Sequence, residues 1–142
     1  MKLYNAPKEN EKGLLLLADF LALPDAEVTF EKDTAMSLSE KNGKIVIGYE
    51  TPRDAFRALS FLPAFLKDKA PIRQKAKFET LCIMVDCSRN AVVNVESVKK
   101  LLLHMASMGF NALMLYTEDT YELPEFPYFG HLRGRYTKAE LK

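Results

Sequence analysis

Two uninterrupted apolar runs, joined through one amphipathic helix, most constrain how this chain of 142 residues can fold. The first run closes the segment Phe78–Val85, and the second is Asn111–Tyr116. Because both runs are continuously apolar and do not alternate, each predicts a strand that is covered on both faces, as in a parallel sheet. Asn94 is the predicted N-terminal cap of the helix between the two runs, and Gly109 marks the predicted end of that helix. The pattern therefore predicts a βαβ unit.

The part before these runs predicts a small α+β layer of helix, strands and helix. Asn42-Gly43 predicts a tight hairpin, since both positions favour positive φ. The predicted elements are a helix between Pro7 and Pro24, strands at Glu27–Phe30, Ala35–Ser39 and Ile45–Tyr49, and a helix that begins at Thr51-Pro52 and is kinked or shortened at Pro63.

A basic stretch, Lys67–Lys77, lies between the two parts. It is interpreted as a solvated linker, with an inter-domain contact as the alternative. The predicted domains are therefore residues 1–70, a small α/β domain, and residues 71–142, the start of a second domain.

The last residues of the sequence predict the first turn of a helix. Thr137 and Glu140 have the spacing of a capping box, and the sequence stops two residues later. Two parallel strands also need further strands to form a stable sheet. We therefore expect the chain to be part of a longer protein, and we expect its unfinished sheet edges to self-associate.

Charge and composition exclude several classes of function. The net charge is +1, from 20 basic and 19 acidic residues, so nucleic-acid binding is not predicted. The apolar runs are too short to span a membrane, and no export signal is visible. Cys82 and Cys87 would lie about 16 Å apart on an extended strand, too far for a disulfide. They are interpreted as reduced packing residues of a cytoplasmic protein, and no metal or cofactor is predicted.

Polar residues follow each apolar strand, where βα units bind their ligands. The two groups are Asp86–Asn90 and Thr117–Glu122. An arginine beside carboxylates and a tyrosine suits a polyhydroxylated ligand, because the guanidinium donates to hydroxyls and the carboxylates accept from them. A structural interpretation stays open, in which Asp86 binds N–H groups of its own loop and Arg89 pairs with Glu118 or Asp119.

The long segment Pro124–Tyr136 predicts an ordered loop, and such loops are often functional. Its residues Phe126 and Phe129 are interpreted as covers over the edge of the fold. Neither His104 nor His131 has neighbours in the sequence that indicate a catalytic role.

Three stretches together resemble the opening of the catalytic barrel of family-20 glycoside hydrolases. They are Ile83–Ala91, which contains Asp-Cys-Ser-Arg, the helix end Met108–Asn111, and Leu115–Asp119. The resemblance covers about residues 79–142, whereas residues 1–70 resemble only in layout the small α/β domain that precedes this barrel. It implies that residues 71–142 are the first part of a truncated (β/α)8 barrel.

The resemblance implies that the intact protein is an exo-acting β-N-acetylhexosaminidase acting on terminal N-acetylglucosamine or N-acetylgalactosamine. In this family the 2-acetamido oxygen of the substrate attacks the anomeric carbon, and an adjacent Asp-Glu pair assists. That pair would lie beyond residue 142, so the 142 residues alone are expected to be inactive. The implied substrate-binding residues are Arg89, Glu118 and Asp119, with Asp86 and Tyr121 in support. Glu118 departs from the family pattern, which has Asp there.

Two alternatives to this function stay open. O-GlcNAc hydrolases and α-glucuronidases also place a similar small domain before a barrel, and the downstream acid pair would separate them. The chain could instead be a non-catalytic carbohydrate-binding or interaction module.

Overall fold

The structure, a computed structural model, describes residues 1–89 and 91–141 and divides into two compact units. The first unit comprises residues 1–81 and 103–111, and the second comprises residues 82–102 and the chain from residue 112 onward. The predicted domain boundary between residues 70 and 71 stays a prediction.

The first unit is a mixed sheet with helices, as predicted for an α+β layer. Its sheet has the strand order β1-β2-β4-β3-β5, in which β1, β2 and β4 are parallel and β3 runs antiparallel to β4 and β5. In chain order the elements are β1 (Lys2–Tyr4), α1 (Glu11–Phe20), β2 (Glu27–Lys32), β3 (Met36–Lys41), β4 (Lys44–Tyr49), α2 (Pro52–Ser60), α3 (Leu62–Asp68) and β5 (Ile72–Gln74).

The core of this unit lies on one face of the sheet, because alternate residues of a strand point to the same side. Val28 and Phe30 of β2 and Ile47 of β4 are almost fully buried there. The three helices contribute Leu14, Ala18, Ala55, Ala58, Leu59, Leu62 and Phe65 to the same cluster. The opposite face carries polar and small side chains such as Thr29, Ser37 and Ser39, placed there by the strand register.

Local sequence signals explain the turns and caps. Asn42 and Gly43 have φ values of 51° and 73°, so the predicted Asn-Gly hairpin is confirmed. At the start of α2, the carboxylate of Asp54 accepts hydrogen bonds from the backbone N–H groups of Thr51 (2.8 Å) and Glu50 (3.2 Å). Free N–H groups near the helix start are thereby satisfied, and the negative charge sits near the positive end of the helix dipole.

Several boundaries differ from the prediction. The helix α1 begins at Glu11, because Pro7 opens a turn in which its carbonyl accepts from the N–H of Asn10. Two strands of three residues, β1 and β5, were not predicted. The linker interpretation is wrong for Ile72–Gln74, which pairs with β3 and places Ile72 against the core. The helix after Thr51 is interrupted at Phe61, so the predicted effect of Pro63 is confirmed.

The predicted strand–helix–strand unit is formed, with both of its strands and the part of its helix up to Leu102 in the second unit. Its strands β6 (Cys82–Asp86) and β7 (Ala112–Tyr116) are parallel, and α4 (Val95–Met108) lies between them in the chain. The Asn94 carboxamide oxygen accepts from the N–H of Ser97 at 2.8 Å, which confirms the predicted cap. Gly109 has a φ of 84°, the conformation expected just after a helix.

The prediction that both faces of these strands are covered is wrong for the described residues. Met84 and Met114 are 62% and 53% exposed, whereas Ile83, Val85, Leu113 and Leu115 on the other face are half-buried. An apolar run predicts that a strand is buried but not which element covers it. Both cysteines are free; Cys87 is buried as predicted, but Cys82 lies on the open face and is exposed. Within residues 1–89 and 91–141, no helix is long and apolar enough to cross a membrane.

Candidate functional site

The candidate site lies at the carboxyl ends of the two parallel strands of the second unit. Asp86 is the last residue of β6 and stands opposite Tyr116, the last residue of β7. The turns that follow bring Arg89 and Glu118 to the same end of the sheet, around Tyr116. Asn90 belongs to the same predicted group of residues but lies outside the described residues.

Asp86 organises the loop that follows β6. Its Oδ1 accepts hydrogen bonds from the N–H of Ser88 (2.8 Å), the Ser88 hydroxyl (2.6 Å) and the N–H of Arg89 (3.4 Å). The Ser88 hydroxyl is the main cause that lowers the pKa of Asp86, and the Arg89 guanidinium acts in the same direction. Asp86 is therefore an ionised acceptor at neutral pH, in the loop-shaping position that the sequence indicated.

Arg89 pairs with the carboxylate of Asp86 and not with those after β7. Its Nη1 lies 3.1 Å from Oδ2 of Asp86, and its guanidinium carbon lies 5.7 Å from the centre of the Tyr116 ring. The predicted alternative pairing with Glu118 or Asp119 is wrong, because the tight turn at Ser88 carries Arg89 back over Asp86. The Arg89 side chain is 69% exposed, and within the described ranges its remaining N–H donors bind no other side chain.

The carboxylate of Glu118 forms a hydrogen bond with Tyr116, two residues earlier in the chain. The hydroxyl of Tyr116 donates to Oε1 of Glu118 at 3.0 Å, and this hydrogen bond raises the pKa of Tyr116. Glu118 has a φ of 45°, a left-handed conformation that is uncommon for a residue with a side chain. Its turn is closed by buried Thr120, whose N–H and hydroxyl both donate to the carbonyl of Thr117, at 2.8 and 2.6 Å.

Asp119 faces a different partner. Its Oδ1 lies 3.5 Å from Nη1 of Arg133, so this carboxylate is joined to the long loop and not to Arg89. Gly130 of the same loop approaches the Asp119 carbonyl so closely that an added Cβ would lie 2.1 Å from that oxygen. Tyr121 packs edge-on against Phe129, with ring centres 5.3 Å apart. Tyr121 therefore supports the loop by packing in this structure.

The loop from residue 124 to residue 136 is held by hydrogen bonds at several points. The guanidinium of Arg135 donates to the carbonyls of Phe129 and Pro127. The hydroxyl of Tyr136 donates to the carbonyl of Val93 and lies near the thiol of Cys87, and burial raises the pKa of Tyr136 to about 12. The predicted capping contacts also form at its end. The Glu140 carboxylate accepts from the N–H and the hydroxyl of Thr137, both at 2.8 Å.

Among the residues that the structure describes, neither histidine side chain forms a hydrogen bond or an ion pair with the residues around Arg89 and Tyr116. In the first unit, His104 packs edge-on against Phe20, with ring centres 4.8 Å apart. His131 stands edge-on to Tyr128 within the loop. No group of three or more residues suited to hold a metal ion occurs among the residues that the structure describes.

Sequence reasoning missed three members of the cluster. Tyr116 was assigned only to a buried strand, although its register opposite Asp86 places both residues on one face of the sheet. Ser88 and Arg133 lie in the segments Asp86–Asn90 and Pro124–Tyr136, but the sequence does not predict their partners, Asp86 and Asp119. For Tyr116 the signal was available, because Asp86 and Tyr116 each close an apolar run. For Arg133 it was not, because its contact with Asp119 depends on the path of a long loop.

Comparison with known proteins gives a likeness in structure only. No family model matches the chain, and no curated protein matches it. One similar structure is a GH20 exo-β-N-acetylglucosaminidase from Vibrio harveyi, solved in complex with N-acetylglucosamine. The alignment covers 99% of this chain and 29% of the Vibrio chain, with 16% sequence identity and a TM-score of 0.76. A second is a chitobiase from Flavobacterium johnsoniae, also of GH20. The alignment covers 99% of this chain and 28% of the chitobiase chain, with 20% sequence identity and a TM-score of 0.75.

A third similar structure is the Streptomyces plicatus N-acetyl-β-hexosaminidase in complex with Thio-NAglucal. It matches 98% of this chain over 37% of its own, at 18% identity and a TM-score of 0.69. The chain thus spans about a third of the length of the structures it resembles. The structural likeness to family-20 enzymes that the sequence indicated is confirmed: this chain has the fold of the corresponding part of these β-N-acetylhexosaminidases.

Proposed function

We propose that the intact protein containing this chain is an exo-acting β-N-acetylhexosaminidase of glycoside hydrolase family 20. The observation that carries the proposal is a fold shared with such enzymes over 98–99% of this chain. The Asp-Cys-Ser-Arg and Thr-Glu-Asp stretches at the two strand ends support it. The substrate would be a terminal β-linked N-acetylhexosamine, cleaved with retention and with the acetamido oxygen of the substrate as nucleophile.

In this proposal the described residues bind the sugar, and the adjacent Asp-Glu pair that assists the reaction lies beyond residue 142. The strand pair β6–β7 would be the opening of a (β/α)8 barrel, whose ligands bind at the carboxyl ends of its strands. The candidate cluster stands at that end. The chain itself would contribute binding and orientation, so that the 142 residues alone would not hydrolyse a glycoside.

Arg89 is the residue we assign to the hydroxyls of the terminal sugar. Its guanidinium is always charged, and its planar fork of N–H donors matches adjacent hydroxyl oxygens. One of these donors is held by Asp86, which keeps the guanidinium near the strand end without fixing its other donors. Such pre-organisation reduces the conformational entropy that is lost when a ligand binds.

The proposal is tested with Arg89→Ala in the intact protein. Loss of hydrogen bonds from a charged donor is worth about 1.5–3 kcal/mol, so we expect kcat/KM on an aryl N-acetyl-β-glucosaminide to fall about 10- to 150-fold. Lys99→Ala is the matched control, since Lys99 is a similarly exposed cation paired with Glu96 three residues away. Equal values of kcat/KM for the two variants would contradict the assignment.

A further inference from the structure

We propose that Tyr116 is a positioning residue that holds the guanidinium of Arg89 in place, and that Glu118 acts through Tyr116 and does not bind the sugar itself. The inference rests on the proposed function, in which Arg89 binds the terminal sugar.

The first step is that the ion pair with Asp86 leaves Arg89 incompletely fixed. A single nitrogen of Arg89 contacts a single oxygen of Asp86, at 3.1 Å, and the side chain is largely exposed. An exposed ion pair contributes little and is weakened by salt. A long arginine side chain held at one atom keeps much of its rotational freedom. A second restraint is therefore needed to aim its free donors.

The ring of Tyr116 supplies that restraint. The guanidinium carbon lies 5.7 Å from the ring centre, within the range of a cation–π contact. The backbone of Tyr116 is fixed in β7, and its register opposite Asp86 places both contacts of Arg89 side by side. The two contacts restrain the guanidinium from two sides, one through its Nη1 and the other through the Tyr116 ring.

Glu118 in turn fixes the ring. Its Oε1 accepts the phenol proton at 3.0 Å, and its backbone is held in the turn that Thr120 closes inside the protein. The left-handed φ of Glu118 shows that this turn is adopted against local preference, a feature that tends to occur at functional sites. An aspartate at this position would be one methylene shorter. The glutamate is the acid whose length makes this contact in the present turn.

The test is a double-mutant cycle in the intact protein, with kcat, KM and the inhibition constant of N-acetylglucosamine as readouts. Removing the ring in Tyr116→Leu should raise KM and that inhibition constant about 2- to 5-fold, the range of an exposed cation–π contact, and should change kcat less. In an Arg89→Ala background the same change should have almost no effect. Tyr116→Phe and Glu118→Ala should give smaller and non-additive losses, because each removes the hydrogen bond between the phenol and the carboxylate. Glu118→Asp should behave like Glu118→Ala, whereas Glu118→Gln should lose less, because its carboxamide oxygen can still accept from the phenol.

Other outcomes separate the two proposals. If the wild-type protein hydrolyses the glucosaminide but Tyr116→Leu and Arg89→Ala are additive, Tyr116 does not act through Arg89 and this inference is overturned, while the proposed function stands. If the wild-type protein is inactive on it, the proposed function fails. The positioning of Arg89 is then decided by crystal structures of the wild type and Tyr116→Leu. Displacement or disorder of the Arg89 guanidinium in the variant supports the inference, and an unchanged position overturns it.

Discussion

At the scale of single residues, several carboxylates of this chain form hydrogen bonds or ion pairs with neighbouring side chains. Asp33, the residue that follows β2, makes the largest number of these contacts. It accepts from both terminal nitrogens of Arg73 on β5, at 2.7 and 3.0 Å, and from the hydroxyl of Ser37 at 3.0 Å. Gly48 makes room for this contact, since a Cβ there would lie 2.2 Å from the Ser37 oxygen. The cluster fastens the edge strand β5 to the sheet.

Asp33→Asn should therefore lower stability in a pH-dependent way. The Arg73 guanidinium and the neighbouring donors hold the pKa of Asp33 below its ordinary value of 3.8. A carboxylate with a depressed pKa contributes stability that is present above the unfolded-state pKa and is lost as the pH falls through the lower folded-state pKa. We expect the Tm of the variant to lie below that of the wild type at pH 7 and the gap to narrow below about pH 4.

Thermal melts of both proteins from pH 7 to pH 2 check this prediction. Glu31→Gln is the control, because it removes a solvent-exposed ion pair with Lys41, which should contribute little. If the difference in Tm between Asp33→Asn and the wild type is constant across the pH range, the charge of the carboxylate is not what stabilises the contact.

At the scale of elements, the loop from residue 124 to residue 136 depends on one glycine. Gly130 has a φ of 66° and lies against the Asp119 carbonyl. Gly130→Ala would place a methyl group inside the contact distance of that oxygen, besides the cost of about 1–2 kcal/mol for a left-handed residue with a side chain. We expect the loop to move away from Asp119, which breaks the ion pair between Asp119 and Arg133.

Hydrogen–deuterium exchange measures this effect directly. Peptides from the loop should exchange faster in Gly130→Ala than in the wild type. Gly134→Ala is the matched control from the same loop, because a Cβ there would meet Val92 at an ordinary distance of 3.6 Å. Unchanged exchange in Gly130→Ala would contradict the assigned role of this glycine.

The same scale shows what sequence patterns could predict. The hairpin, the capped helices and the strands of five or six residues follow from local signals, since Asn-Gly, Thr-Pro and short apolar runs act within a few residues. The strands β1 and β5 have three residues each, too few for a period, and β5 lies in a basic stretch with Ile72 as its one core residue. Their pairing depends on distant strands, which no local signal reports.

At the candidate site the sequence indicated the place but not the pairing. The rule that ligands bind at the carboxyl ends of parallel strands selected both loops. The partner of Arg89 follows from the conformation of the turn at Ser88, and the partner of Asp119 follows from the path of a long loop. Residue types alone did not distinguish these pairings from their alternatives.

At the scale of the whole molecule, the likeness to family-20 enzymes extends over nearly the entire chain at only 16–20% identity. Buried apolar positions and glycine turns preserve a fold through such divergence, whereas a site can change its chemistry by a few residues. The contacts around Arg89 therefore bear more directly on function than the fold does. We propose above all that the intact protein uses the acetamido group of its substrate as the nucleophile.

The most direct test compares two aryl glycosides that differ only at the 2-position, with the intact protein as catalyst. Because the acetamido oxygen is the proposed nucleophile, we predict hydrolysis of the N-acetyl-β-glucosaminide and no measurable hydrolysis of the β-glucoside. A trifluoroacetamido group, a poorer nucleophile, should slow the reaction with little change in size. Equal hydrolysis of the glucosaminide and the glucoside, or of neither, would contradict the account.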